Sequence, residues 1–379
     1  MKTKVPPLDL QAEFREIHSE FMQRARHTFA SGRYILGTEV SKFEQSFARF
    51  VGTKYAVGVA SGSDALLLAL MAYGVKAGDE ILTTPYSFIA TATAIARLGA
   101  KPVFVDIDPS TFNLNPALIK GKITKRTRGI ILVHLYGNPC SMNAILNVAK
   151  RYNLFVIEDC AQACGATFKR KQVGSFGDFG AFSFYPTKTI GAMGDAGALT
   201  TNDKKLYEKI KSLHLHGENR HNHFDRSYLH TAIGINSRLD EIQAAVLNIK
   251  LKHLPKWNQA RRKAAARYDK LILQSNLKMI KIPQSVSSEK TVYQQYVIRT
   301  PKRDQLLSHL RSVGISAGVY YPVPLHLQPC FRHFGYPKGE LPIAEQASRE
   351  VLSLPLYPQI TPRQQSFVIS EITRFFKQS

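Results

Sequence analysis

The chain has 379 residues, 44% of them apolar, long enough for two domains and for a core that needs neither disulfides nor a structural metal. No run approaches the ~20 consecutive apolar residues that cross a bilayer, and the first ten residues hold two lysines and no apolar run, so neither a membrane span nor a secretory signal is expected. A net charge of +23, from 51 basic and 28 acidic residues, attracts phosphorylated small molecules as well as polyanions. No zinc-finger spacing or aromatic RNA-binding pattern accompanies it, so nucleic acid is not the expected partner.

From residue 53 to 202 short apolar runs alternate with helical patterns. Strands are predicted at 80–84, 102–106, 129–136, 154–158, 179–185 and 197–201. Several are rich in Val and Ile and apolar on both faces, as strands covered by helices on both sides must be. Helices are predicted over 63–73, 89–98 and 143–151. This alternation predicts an α/β domain with a mostly parallel sheet, and ligands in such sheets gather at the carboxyl ends of the strands. A long helix is expected from 238 to 251, with Pro255 marking its end or a kink, and another over 258–273. It leads into a smaller α+β unit with a strand over 292–298 and a helix over 303–313. The reading divides the chain into a large domain, 1–250, and a small one, 251–379. The densest basic run, Lys250, Lys252, Lys256, Arg261, Arg262, Lys263 and Arg267, reads as a solvated face.

Three segments carry candidate chemistry. In Ala60-Ser61-Gly62-Ser63-Asp64-Ala65-Leu66 a small hydroxylated turn runs into an apolar helix. Free backbone N–H groups and the positive dipole end suit a phosphate monoester there, although an ordinary N-cap has the same composition. In Leu154-Phe155-Val156-Ile157-Glu158-Asp159-Cys160-Ala161-Gln162 two carboxylates end a strand. One of them would pair with a protonated ring nitrogen, or else simply cap the helix expected to carry Cys160 and Cys164. In Ser183-Phe184-Tyr185-Pro186-Thr187-Lys188-Thr189-Ile190-Gly191 a lysine follows an apolar strand. Desolvation would lower its pKa and free its amine to attack a carbonyl, whereas a lone lysine is commonly just a surface charge. The four cysteines, Cys140, Cys160, Cys164 and Cys330, lack zinc spacing and read as reduced thiols of a cytoplasmic protein. His214, His216, His221, His223 and His230 have no fixed ligand spacing and read as an exposed loop, so no metal is expected.

In this order the segments resemble the fold-type-I sugar aminotransferases, the DegT/DnrJ/EryC1/StrS group. The likeness extends through Ser31-Gly32-Arg33-Tyr34-Ile35-Leu36-Gly37, Thr83-Thr84-Pro85-Tyr86-Ser87-Phe88, Gly234-Ile235-Asn236-Ser237-Arg238-Leu239-Asp240 and Tyr321-Pro322-Val323-Pro324-Leu325-His326-Leu327-Gln328. The resemblance implies a seven-stranded, mostly parallel sheet and a pyridoxal 5′-phosphate cofactor held as a Schiff base on Lys188. It implies that Lys188 shuttles the proton between C4′ and the substrate carbon, and that Asp159 keeps the pyridinium nitrogen protonated. Phe88 would stack on the ring and Gln162 would reach its phenolic oxygen. Gly62, Ser63 and Ser183 would bind the phosphate, with Asn236 from the other subunit of a homodimer. Tyr321, His326 and Arg238 would contact substrate. Ser63, Thr189 and Ala196 replace residues more usual in the family and leave this chemistry intact, and Lys188 argues against the dehydrating branch, which has histidine there. The implied reaction moves an amino group from glutamate to a nucleotide-linked keto-sugar. The run 234–252, with Trp257 and Ala260-Arg261-Arg262, looks most like enzymes acting at C3 of dTDP-3-keto-6-deoxyhexoses. A UDP-linked 3-keto-N-acetyl sugar, a 4-keto sugar, and a regulatory nucleic-acid-binding protein on the same fold are the alternatives.

Overall fold

The computed structural model describes residues 4–218, 229–282, 284 and 289–378. Helices α1 (Leu10–Ala30) and α2 (Thr38–Val51) precede a central sheet built from β1 (Tyr55–Val59), β2 (Glu80–Thr83), β3 (Lys101–Phe104), β4 (Thr127–Val133), β5 (Phe155–Asp159), β6 (Phe179–Ser183) and β7 (Gly197–Thr201). Its order is β1-β7-β6-β5-β4-β2-β3. All pairings are parallel except those of β7, which is antiparallel to both β1 and β6. The six predicted strands are present, each within a few residues of its expected ends. The seventh, β1, gave no separate strand signal in the sequence.

Helices cover both faces. Along β6 the side chains alternate: Phe179 and Ala181 pack with α3 (Gly62–Ala72), whereas Phe182 packs with Phe43 and Phe47 of α2. Every residue of α3 from Ala65 to Leu70 is buried, because the sheet lies beneath it and α4 (Ala90–Ala96) and α6 (Lys204–Leu213) flank it. Between β4 and β5 runs α5 (Met142–Tyr152). The helix expected after Asp159 is absent, and residues 160–166 form turns that bury Cys160 and Cys164.

A second core gathers Tyr268, Tyr296, Leu306, Leu352 and Val368 around a two-stranded antiparallel sheet of β8 (Tyr296–Arg299) and β9 (Val351–Leu354). Helices α8 (Arg303–Ser312), α9 (Pro342–Glu350) and α10 (Pro362–Gln378) complete this unit. Val5, from the chain start, packs into this second core and bridges to Ile315.

One helix serves both cores. The sequence predicts two helices separated at Pro255, but α7 runs unbroken over Glu241–Gln274 with the proline inside. Leu251, Leu254 and Trp257 belong to the first core, and Ala264, Ala265, Tyr268 and Ile272 to the second. Packing on both sides of the proline outweighs the missing N–H. The basic run on this helix is not wholly a solvated face: Lys250 and Arg261 are 4% and 2% exposed.

Candidate active site

Asp159 ends β5 on the side away from Glu158, as the period-2 alternation of a strand requires. Glu158 turns into the protein, where it accepts from the N–H groups of Gly174, Phe176 and Gly177 and faces His134 at 3.1 Å. His134, Glu158 and Cys160 have metal-like proximity, but the imidazole Nδ1 already accepts from the Cys140 N–H. Asp159 is 5% exposed and accepts from the Thr91 hydroxyl at 2.9 Å and the Ala161 N–H at 3.1 Å. Burial raises its pKa; those two hydrogen bonds and the Lys188 charge oppose the rise.

Lys188 lies in a tight turn after β6, closed by Lys188 N–H to Tyr185 O at 2.8 Å and Ala192 N–H to Phe184 O at 2.7 Å. Desolvation lowers its pKa, opposed only by Asp159. Burial lowers the amine and raises the carboxyl while each charge opposes the other's shift, the electrostatic coupling that marks a functional site.

The start of α3 lies against the end of β6. Ser61 caps the helix by accepting from the Asp64 N–H at 3.1 Å, so the hydroxyl serves the helix as an ordinary cap. Ala65 N–H closes on Ser61 O, whereas the N–H groups of Gly62 and Ser63 have no partner among the described residues. A Cβ on Gly62 would come within 2.6 Å of the Ser183 Cβ, so only glycine lets strand and helix approach this closely. Two free N–H groups, a helix dipole and the Ser183 side chain thus converge, as phosphate binding needs. Ser237 anchors the same corner: its hydroxyl donates to Asp64 Oδ2 at 2.7 Å and accepts from the Ala60 N–H at 3.1 Å. Its neighbours in the motif are Asn236, exposed, and Arg238, half-buried.

Phe88 is 56% exposed, and its ring centroid lies 6.4 Å from that of Tyr321. Gln162 donates to the Tyr321 hydroxyl at 2.9 Å and accepts from the Tyr136 N–H at 2.7 Å. The Tyr136 hydroxyl donates to the Tyr320 carbonyl, and the Tyr321 N–H donates to Tyr86 Oη at 3.0 Å. Tyr321 therefore comes to Gln162 on a loop tied down by two buried phenols. His326 departs from its expected place: its side chain is fully buried, with Nε2 3.2 Å from Glu345 and the ring near Phe104, leaving no surface for a substrate. His214 is likewise buried, with Nδ1 3.1 Å from Ser237 O, and not part of an exposed loop; His221 and His223 lie outside the described residues.

Thr91, Tyr136 and Ser237 were not singled out by the sequence. Thr91 stands one helical turn beyond Phe88 and Ser237 inside the 234–240 motif, so position was the only available signal.

The sequence pattern of the DegT/DnrJ/EryC1/StrS aminotransferase family matches residues 15–373. The chain belongs to this family. It is 46% identical to a pleiotropic regulatory protein of Geobacillus stearothermophilus, covering 98% of this chain and 99% of that protein. It is 41% identical to a dTDP-3-amino-3,4,6-trideoxy-alpha-D-glucose transaminase of Streptomyces venezuelae, covering 97% and 95%. The solved structure of S. venezuelae DesV in complex with a ketimine intermediate superposes with a TM-score of 0.94 at 40% identity, over 98% of each chain. The chain is thus a fold-type-I, pyridoxal-phosphate-dependent sugar aminotransferase. The two unpartnered N–H groups at the start of α3, the buried Asp159 carboxyl and the desolvated Lys188 amine fit that cofactor's phosphate, ring nitrogen and aldehyde. No helix among the described residues is long and apolar enough to cross a membrane.

Proposed function

We propose that this enzyme moves the amino group of glutamate to C3 of a dTDP-linked 3-keto-6-deoxyhexose, in the cytoplasm, as a homodimer with shared active sites. The observation that carries the reaction is the electrostatically coupled pair of Lys188 and Asp159 together with the free N–H groups of α3 against the end of β6. The choice of sugar rests on likeness to the Streptomyces transaminase over nearly the whole chain. Bound pyridoxal phosphate supplies the electron sink that stabilises charge on the substrate carbon. Lys188 anchors it and moves a proton between C4′ and that carbon, and Asp159 holds the proton on the ring nitrogen. Gly62, Ser63 and Ser183 bind the phosphate, joined by Asn236 of the partner subunit. Phe88 covers the ring, Gln162 turns from Tyr321 to the phenolic oxygen, and Tyr321 and Arg238 face the sugar nucleotide.

Support for the dimer comes from the surface near Asp240. Phe29 and Tyr34 are 59% and 55% exposed with ring centroids 6.5 Å apart, and Ile35, also exposed, bridges to Asp240. Exposed apolar patches of this kind mark association surfaces. Residues 1–250 are assigned to a large cofactor-holding domain and 251–379 to a small one, with Val5 crossing over to the second core.

The test has two parts. Purified protein with pyridoxal phosphate should show the visible band of a Schiff base, and borohydride should fix the label on Lys188; a label elsewhere, or none, sinks the reading. Glutamate-dependent amination of a panel of dTDP- and UDP-linked 3-keto and 4-keto sugars then decides the substrate, and turnover of 4-keto or UDP-linked sugars alone would reject the C3 dTDP assignment.

A further inference from the structure

Between the chain start, the Lys188 turn and the second core lies a cavity of about 270 Å³, with Thr187, Arg261, Gln294, Arg311 and Ser316 in its wall and no aspartate or glutamate. The buried Arg261 donates through Nη1 to the carbonyls of Tyr293 and Leu356, at 3.2 and 3.0 Å, while its Nε has no hydrogen-bond partner. Burial pushes its pKa down to about 10 against the pull of Glu13. Glu13 is in ion-pair contact with the equally buried Lys250, so one carboxylate serves two buried cations. Arg311, exposed at the end of α8, makes no ion pair among the described residues. Gln294 donates from Nε2 to Thr187 O at 2.8 Å, and its Oε1 is buried without a partner.

A guanidinium held in the interior by neutral carbonyls is under-compensated, and an anion beside it gains from the low local dielectric. The planar guanidinium fork matches a carboxylate in shape as well as charge. We propose that this cavity is a carboxylate site, distinct from the phosphate cup of α3, which takes a short dicarboxylate between Arg261 and Arg311. Through Gln294 an occupant bears on Thr187, the residue before Lys188. The inference rests on the proposed function in one respect: the donor, glutamate, and the 2-oxoglutarate it leaves are both short dicarboxylates.

Glutarate has no amino group to transfer and is the probe. Calorimetric titration of the pyridoxal-phosphate-loaded protein should show binding that weakens about tenfold or more in Arg311→Met and in Ser316→Asp. Both side chains are exposed, so neither change opens the core. Glutarate binding unaltered in both variants would place the diacid at the amino-donor position and overturn the proposal, as would the absence of binding at millimolar glutarate. Inorganic phosphate, run in parallel, should bind more weakly in this cavity; equal, Arg311-dependent binding of phosphate would overturn the carboxylate assignment. The borohydride label on Lys188 is read separately, so either reading can fail while the other stands.

Discussion

At the scale of single residues, Lys188 and Asp159 pull one another in ways that can be separated. Desolvation lowers the amine and Asp159 opposes it, so capture of pyridoxal phosphate by apo-protein should rise with pH through a midpoint below the ordinary lysine value of about 10.4. Asp159→Asn should move that midpoint lower still, measured by the visible band against pH, because it removes the opposing charge. The carboxyl has the reverse sign. Its pKa is raised in the folded state, so the proton it holds favours folding below the unfolded value, and that advantage is lost as pH climbs through the folded value. Asp159→Asn should therefore raise the Tm of the apo-protein at neutral pH, by roughly 1–3 kcal/mol of stability, with the Thr91 hydroxyl turning to accept from the new amide. In the loaded enzyme it should lower kcat by on the order of 10²-fold or more. Lys188 itself was legible only through its company, since nothing local distinguishes it from other lysines. Thr91 and Ser237 were illegible for a different reason: their partners, Asp159 and Asp64, lie 68 and 173 residues away.

At the scale of elements, the strands were legible because β2 to β6 are buried on both faces and read as continuous apolar runs. The helix starting at Glu241 was legible in type but not in length, because local sequence reports the proline and not the two cores that hold the helix on either side of it. Its first residue has a task no periodicity reveals. Glu241 caps α2 from a distance, accepting from the N–H groups of Gly37 and Val40 with Oε1 and of Glu39 with Oε2, at 2.8, 2.9 and 2.9 Å. A Cβ on Gly37 would lie 2.7 Å from the Glu241 Cδ, so the glycine is what admits the carboxylate. Glu241→Ala strands three buried donors and should destabilise the protein by about 2–4 kcal/mol, seen as a lower Tm in calorimetry. Glu241→Gln, which keeps one acceptor oxygen, should lose less.

At the scale of the whole molecule, the proposed sharing of sites between subunits is open to a complementation experiment. Lys188→Ala and Asn236→Ala subunits should each be nearly inactive alone. If Asn236 serves the neighbouring site, mixed dimers regain one intact site each, and a 1:1 random mixture should recover about a quarter of the wild-type sites. A mixture no more active than its components would assign Asn236 to its own subunit. The charge of +23 belongs to this scale as well. Composition gives its size, but only the fold shows that Lys250 and Arg261 are held inside while neighbours on the same helix face water.

The unbroken α7 also bears on how the chain can be taken apart. A fragment beginning at residue 251 would start in mid-helix and carry Leu254 and Trp257 without the Phe43 and Phe47 side chains they share a core with. The complementary fragment would leave Tyr268 and Ile272 behind and keep Val5 with no second core to enter. Each half thus loses side chains that complete its packing, so the two units are expected to express, fold and melt together, and nicking the chain at 250–251 should release no folded piece.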